Sequence, residues 1–211
     1  ETEAILSEFG DCIAIPADLS TIEGCERLAV EIEGREEELN ILVNNAGVTW
    51  SEDLGQFHEK AWDKVVDVDM KGPFFLTQAL LPLLCSGASA ENRGSIVNVT
   101  SVNGLRPTTL HNYSYVAAKA GLGHLSRQLA RDLRDDYINV NVMAPGFFKS
   151  KMTAVLFDTE EKEKEIMERA AMNRAGNLED AAGLVIYFSS KAGAFVTGET
   201  IACDGGSVNT T

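Results

Sequence analysis

Apolar and polar positions follow one another along this chain in two rhythms. Short apolar-rich runs at 11–16, 39–43, 94–100, 138–143 and 199–203 have the length and β-branched content of buried strands. Between them lie longer stretches with the period of amphipathic helices, near 20–33, 59–85, 112–135, 158–172 and 178–190. Strands that alternate with helices predict an α/β fold built on a doubly wound parallel sheet. Pro73 and Pro82 are expected to kink the 59–85 helix, because proline lacks the amide that an α-helix needs. The first residues read as the end of a helix closing near Phe9-Gly10, and Ser86 to Arg93 as a polar loop. No repeat, low-complexity tract or linker breaks the pattern, so residues 1–211 read as one domain.

Composition enters mainly by exclusion. With 211 residues, 45% of them hydrophobic and 24% charged, the chain can bury a sizeable core. Its formal charge of −14 repels phosphate backbones and anionic surfaces, so neither nucleic acid nor membrane is expected as a partner. Much of that charge sits in Glu36-Glu37-Glu38 and between Glu160 and Glu168, which read as solvated faces. Cys12, Cys25, Cys85 and Cys203 form no Cys-x-x-Cys pair, and His58, His111 and His124 are scattered, so no metal site is expected. Such thiols fit a reducing, cytoplasmic setting. No apolar run has the length of a membrane span, and the first residues lack the pattern of a signal peptide.

The candidate chemistry centres on Tyr115-Val116-Ala117-Ala118-Lys119. Tyr115 and Lys119 fall one turn apart on one face of the predicted helix, where the ammonium is expected to lower the phenol's pKa from its reference of about 10. A tyrosine tuned in this way suits general acid or base work near neutral pH. Ser101 ends the strand-like run that starts at Ser95, where open α/β sheets bind their ligands. Taken alone, Tyr-x-x-x-Lys also describes an ordinary surface helix pair. Three further motifs change its meaning: Asn44-Asn45-Ala46-Gly47 after the run 39–43, Pro145-Gly146 after Ile138 to Ala144, and Asp204-Gly205-Gly206 near the end.

In order and spacing these motifs resemble the short-chain dehydrogenase/reductase family, from the first residues to about Gly206. Within it the chain is similar to 3-oxoacyl-acyl-carrier-protein reductases, including the rhamnolipid-biosynthesis type, through Gly10-Asp11-Cys12 followed by Ile15-Pro16-Ala17-Asp18-Leu19-Ser20. The resemblance implies a Rossmann-like fold, a nicotinamide cofactor, NADP in preference to NAD, and a carbonyl or alcohol substrate, either a free small molecule or one linked to acyl-carrier protein. It also implies that a βαβ unit of about 30 or more residues, carrying the glycine-rich pyrophosphate turn, precedes Glu1. Gly121-Leu122-Gly123 is no substitute, since it lies within a helix and position 126 is Ser. Pairing of the helices near 73–85 and 112–130 would give a homodimer or homotetramer.

Roles follow position by position from the same resemblance. Tyr115 exchanges the proton, Ser101 donates to the substrate oxygen, and Lys119 lowers the tyrosine's pKa and binds the nicotinamide ribose. Asp18 and the Leu19 backbone match an adenine-binding pair, although Asp18 also suits a cap of the next helix. Asn44, Ala46 and Gly47 match the stretch beside the adenine ribose, with Asn44 equally suited to bracing strands. After Pro145 and Gly146, Phe148 by its backbone and Ser150 by its hydroxyl match contacts to carboxamide or pyrophosphate, with Thr153 a further candidate. Ser150 also suits an N-cap, and Phe147 to Thr153 opens a charged segment placed to close over a substrate. Tyr113 has Ala117 at i+4 and reads as core or pocket wall.

Two departures from the family stand out. Asp69 occupies a position where the family usually places Asn in a tetrad with Ser, Tyr and Lys. An ionised carboxylate only accepts hydrogen bonds and favours a charged lysine beside it. The Ser101 to Tyr115 interval is one residue longer than is common in the family, and the loop Pro107 to His111 reshapes the pocket. Two other readings stay open: a sugar, polyol or steroid-type alcohol dehydrogenase, and a noncatalytic binding or regulatory member of the fold.

Overall fold

A computed structural model describes residues 2–210. Its sheet has four parallel strands in the order β1 (Ile41–Asn44), β2 (Gly94–Val99), β3 (Ile138–Pro145) and β4 (Thr200–Cys203). Every residue of β2 and all but the last of β3 are buried, and both strands carry buried polar side chains, Ser95, Asn98, Asn139 and Asn141, among their apolar ones. β1 alternates exposed and buried, and Ile41 and Val43 lie open on the face opposite Leu42. The register pairs Asn44 with Asn98 and Val99 with Met143, so the strand ends bearing Asn44, Ser101 and Gly146 share one edge of the sheet.

Helices cover both faces. On one face α2 (Ile22–Glu33), α4 (Gly72–Ser86) and α5 (Tyr113–Asp132) pack over Leu42, Ile96, Ile138 and Val140. On the other, α7 (Leu178–Ser189) covers Val97, Val99 and Met143 through Phe188. The short α1 (Thr2–Leu6) opens the described chain, α3 (Glu59–Val66) leads toward α4, and α6 (Glu160–Glu168) follows β3. Capping residues set the starts of three helices: Thr21 accepts from Gly24, Thr159 from Lys162, and Asn177 forms a reciprocal capping box with Asp180.

The predicted strand at 11–16 is not a strand. An extended run becomes one only by pairing, and among the described residues nothing pairs with it: β1 is the edge of the sheet, laddered to β2 on one side and to no strand on the other. Ile13 is accordingly 54% exposed.

The predicted helix 59–85 divides ahead of both prolines at which kinks were expected, and by a different device. Asp67–Lys71 forms a π-helical turn in which the Gly72 amide donates to the Asp67 carbonyl, five residues back. Pro73 then falls in the first turn of α4, where a missing amide costs little. Pro82 lies inside α4 without ending it. The small residues of α5 act unequally: a Cβ on Gly121 would stand 2.7 Å from Met70 Sδ, so that glycine lets α5 approach the π turn, whereas Gly123 meets nothing within 4 Å. Ala117 and Ala120 are exposed.

Candidate active site

Four side chains from three elements converge at the carboxyl end of the sheet. Ser101 leaves β2 at the head of a short 3-10 turn, where its Oγ accepts from the Asn103 amide at 3.1 Å and neighbours the Tyr115 phenol. Tyr115, in the first turn of α5, presents its ring to Lys119, whose Nζ lies 5.6 Å from the ring centroid. Lys119 is 4% exposed and donates to the Val99 carbonyl at 3.0 Å. Its Nζ also sits 3.2 Å from Asp69 Oδ2, an ion pair rather than an aligned hydrogen bond. Asp69 is completely buried, because the widened backbone of the π turn aims it inward, and its Oδ1 accepts from the Val48 amide at 2.8 Å.

The expected lowering of the Tyr115 pKa by Lys119 is not what this geometry produces. Burial pushes the phenol up from its ordinary value; the Ser101 hydroxyl works against this and the Asp69 carboxylate adds to it. Burial likewise pushes the Lys119 ammonium down, with Asp69 holding it up. For Asp69 burial raises the carboxyl, and Lys119 and the Val48 amide oppose the rise. The ammonium is thus engaged by a carboxylate, whose opposite charge works against the ammonium's effect on the phenol.

The cofactor candidates separate into groups. Leu19, Asn44 and Ala46 come together as lining of one cavity of about 310 Å³ beside β1. Asn44 also braces strands: its Nδ2 donates to Asn98 Oδ1 at 2.8 Å and to Thr77 Oγ1 at 3.3 Å. Asp18 is exposed and accepts from the Ser20 amide at 3.0 Å, forming a turn, while Thr21 takes the helix cap. Pro145 ends β3, and the Gly146 amide donates to the Cys203 carbonyl at 2.9 Å. A Cβ on Gly146 would meet that of Asp204 at 2.7 Å, so this glycine serves close packing of the loops. The Phe148 ring lies over Gly176, and Ser150 Oγ accepts from the Thr153 amide at 3.3 Å, a local cap.

Sequence reading missed a buried polar chain behind the site. Asn98 Nδ2 donates to Ser126 Oγ at 2.8 Å, and Ser126 to the Leu122 carbonyl at 2.7 Å, so β1, β2 and α5 are tied together by side chains. A lone Asn inside the apolar run 94–100 was the available signal. Asn112 Oδ1 and Ser114 Oγ are buried without a hydrogen-bond partner among the described residues, and nothing in the structure explains them. His111, expected near the pocket, is exposed and paired with Asp53 at 2.8 Å. Tyr113 packs edge-on against Phe57 and stacks with His111.

A nicotinamide nucleotide fits what is present. Gly47 leaves bare the approach to the ion pair, since a Cβ there would stand 3.3 Å from Lys119 Nζ and 3.4 Å from Asp69 Oδ2. The Lys119 ammonium, with three protons, has one beyond its contacts to Val99 and Asp69. Among the described residues no cluster of His, Cys, Asp and Glu could hold a metal ion, and no helix is long and apolar enough to cross a membrane.

Comparison with known proteins agrees with this geometry. Residues 1–208 match the family model described as Enoyl-(Acyl carrier protein) reductase. The chain is 41% identical over 206 residues to the rhamnolipids biosynthesis 3-oxoacyl-[acyl-carrier-protein] reductase of Pseudomonas aeruginosa, covering 98% of this chain and 80% of that protein. To the 2-dehydro-3-deoxy-D-gluconate 5-dehydrogenase of Escherichia coli it is 34% identical over 198 residues, covering 92% and 75%. In structure it is similar to the NADP active-site complex of Pseudomonas aeruginosa RhlG, with a TM-score of 0.94 at 41% identity over 98% of this chain and 80% of that one. A Ser101-Tyr115-Lys119 constellation at the strand ends of a parallel sheet and relatives of this kind lead to one conclusion: the chain belongs to the short-chain dehydrogenase/reductase family of NAD(P)-dependent oxidoreductases.

Proposed function

We propose that this protein reduces a 3-oxoacyl thioester to the 3-hydroxyacyl product at the expense of NADPH, with Ser101, Tyr115, Lys119 and Asp69 as its working groups. The observation that carries this reading is the placement of Tyr115 over a buried Lys119 that is anchored to the Val99 carbonyl, with Ser101 at the adjoining strand end. When bound, the nicotinamide supplies the hydride. Tyr115 donates its phenolic proton to the carbonyl oxygen, and Ser101 donates a hydrogen bond to the same oxygen as negative charge develops there. Lys119, through its remaining proton, holds the ribose.

Gly47 gives the nucleotide close access to Lys119, while Leu19, Asn44 and Ala46 line the cavity assigned to its adenosine half, with Asp18 at the adenine. Pro145, Gly146, Phe148 and Ser150 form the wall beside the carboxamide and pyrophosphate. Residues 1–211 act as one domain of a cytoplasmic enzyme, a homodimer or homotetramer joined through α4 and α5. The relative named for acyl-carrier-protein reduction supports the substrate class, and the more distant sugar-acid dehydrogenase supplies the competing one.

The test is NADPH oxidation by the whole protein with a 3-oxoacyl thioester beside 2-dehydro-3-deoxygluconate-type substrates. A higher kcat/KM for the thioester is expected. Preference for the sugar acid would move the protein to the other group, and no turnover of any carbonyl or alcohol would leave a noncatalytic member of the fold.

A further inference from the structure

Beneath Tyr115 lies a buried ion pair that the shape of the site does not demand. A neutral amide at position 69 would fill nearly the same volume and could still accept the Val48 amide proton through its oxygen. What it would not supply is the negative charge 3.2 Å from Lys119 Nζ. That charge therefore needs its own reason, since a buried carboxylate is costly without compensation.

The surroundings of the phenol supply one. From the π turn Tyr115 faces Asp69, from its own helix Lys119, and from the turn after β2 only the neutral Ser101 hydroxyl. The neighbouring titratable groups of the loops, His111 and Asp53, are paired with each other, and His111 stacks on Tyr113. The field at the phenolic oxygen is thus set by one cation and one anion. A lone ammonium 5.6 Å from the ring would favour the phenolate; the same ammonium beside a carboxylate presents a dipole, whose field at that range is much weaker. The carboxylate cannot swing away, because Oδ1 is held by the Val48 amide and the side chain is fully enclosed.

Resting on the reductase reading above, we propose that Asp69 is a charge-compensating positioning residue. It holds Lys119 in place and cancels the ammonium's field at the Tyr115 hydroxyl, so that Tyr115 remains a protonated acid into the alkaline range. The consequence is directional. Reduction, which needs the phenol protonated, persists to high pH, and oxidation of the corresponding alcohol, which needs it ionised, begins only at high pH. The upward displacement of the phenol by burial and by Asp69 acts in the same sense.

Two measurements on the whole protein test this. The first compares pH profiles of kcat/KM for NADPH-dependent reduction in the unmodified protein and in Asp69→Asn, with circular dichroism and NADPH affinity as checks of folding. The alkaline limb of Asp69→Asn is expected about one pH unit or more lower; a limb that stays put or moves up overturns the proposal. The second follows phenolate absorbance without cofactor or turnover, as the difference between the unmodified protein and Tyr115→Phe. No step assignable to Tyr115 is expected below pH 10.0, the ordinary tyrosine value, and a step below it overturns the proposal even if Asp69→Asn does not fold. Because this second readout needs no substrate, failure to turn over a 3-oxoacyl thioester sinks the reductase reading alone.

Discussion

Tyr115 and Phe share a ring, so Tyr115→Phe removes one hydroxyl and leaves the packing of α5 intact. General acid catalysis is worth about 10²–10⁴ in rate, and we expect a loss of that order in kcat with NADPH affinity within a few-fold. A mutant that keeps half its turnover would eliminate Tyr115 as the acid. Lys119→Met poses a different question, because it strands a fully buried Asp69 without its cation. Breaking one half of such a pair typically costs about 3–5 kcal/mol, whereas replacing both halves by apolar groups is near neutral. Urea unfolding of Lys119→Met, Asp69→Leu and the double variant should therefore show strong coupling; additive losses would mean that the pair does not interact. At this scale the sequence placed Ser101, Tyr115 and Lys119 together but misjudged the charge they share. The helical spacing of Tyr115 and Lys119 is a local property, while the approach of Asp69 depends on a π turn that no periodicity announces.

Among the elements, α7 is fastened at its start by a reciprocal capping box between Asn177 and Asp180, reinforced by the Arg174 guanidinium. Asn177→Ala should cost about 1 kcal/mol in urea unfolding, as loss of an N-cap does. Those contacts hold the Asp180 carboxyl at about 2, below the unfolded value of 3.8, with the Arg174 hydrogen bond the largest cause. A depressed carboxylate contributes stability that is complete above its unfolded pKa and lost as pH falls through its folded one. The contribution of Asp180 should accordingly fade between about pH 4 and 2. An Asp180→Asn variant whose stability followed the same curve as the parent through that window would count against it. Gly72 joins α4 to the loop before α2 so closely that a Cβ would stand 2.3 Å from the Leu19 carbonyl. Backbone cannot yield like a side chain, so Gly72→Ala should cost about 1–3 kcal/mol, read as a lower melting temperature. The glycine was visible in the sequence, but its neighbour lies 53 positions away and was not.

For the whole molecule, the exposed Ala117 and Ala120 on α5 offer a flat surface on which a second copy of the helix can pack closely. Light scattering of the whole protein at micromolar concentration should give a dimer or tetramer, and Ala120→Arg should give a monomer with an unchanged far-ultraviolet spectrum. A monomeric mass for the unmodified protein would reject the interface.

Fold class and the grouping of Ser101, Tyr115 and Lys119 were legible because both rest on local order. Short β-branched runs such as Ser95 to Val99 read as buried strands, and Tyr115 and Lys119 must share a face wherever their helix lies. The sequence also marked Asp69 as unusual without saying what it touches. Long-range pairing decided the rest. The run 11–16 has the composition of a strand and is none, because strand identity belongs to a pair of segments and not to one. The link from Asn44 through Asn98 to Ser126, and the Asp69–Lys119 contact across 50 residues of chain, exist only once sheet and helices are assembled. The same assembly removes the water that would otherwise screen these charges, and so makes them matter.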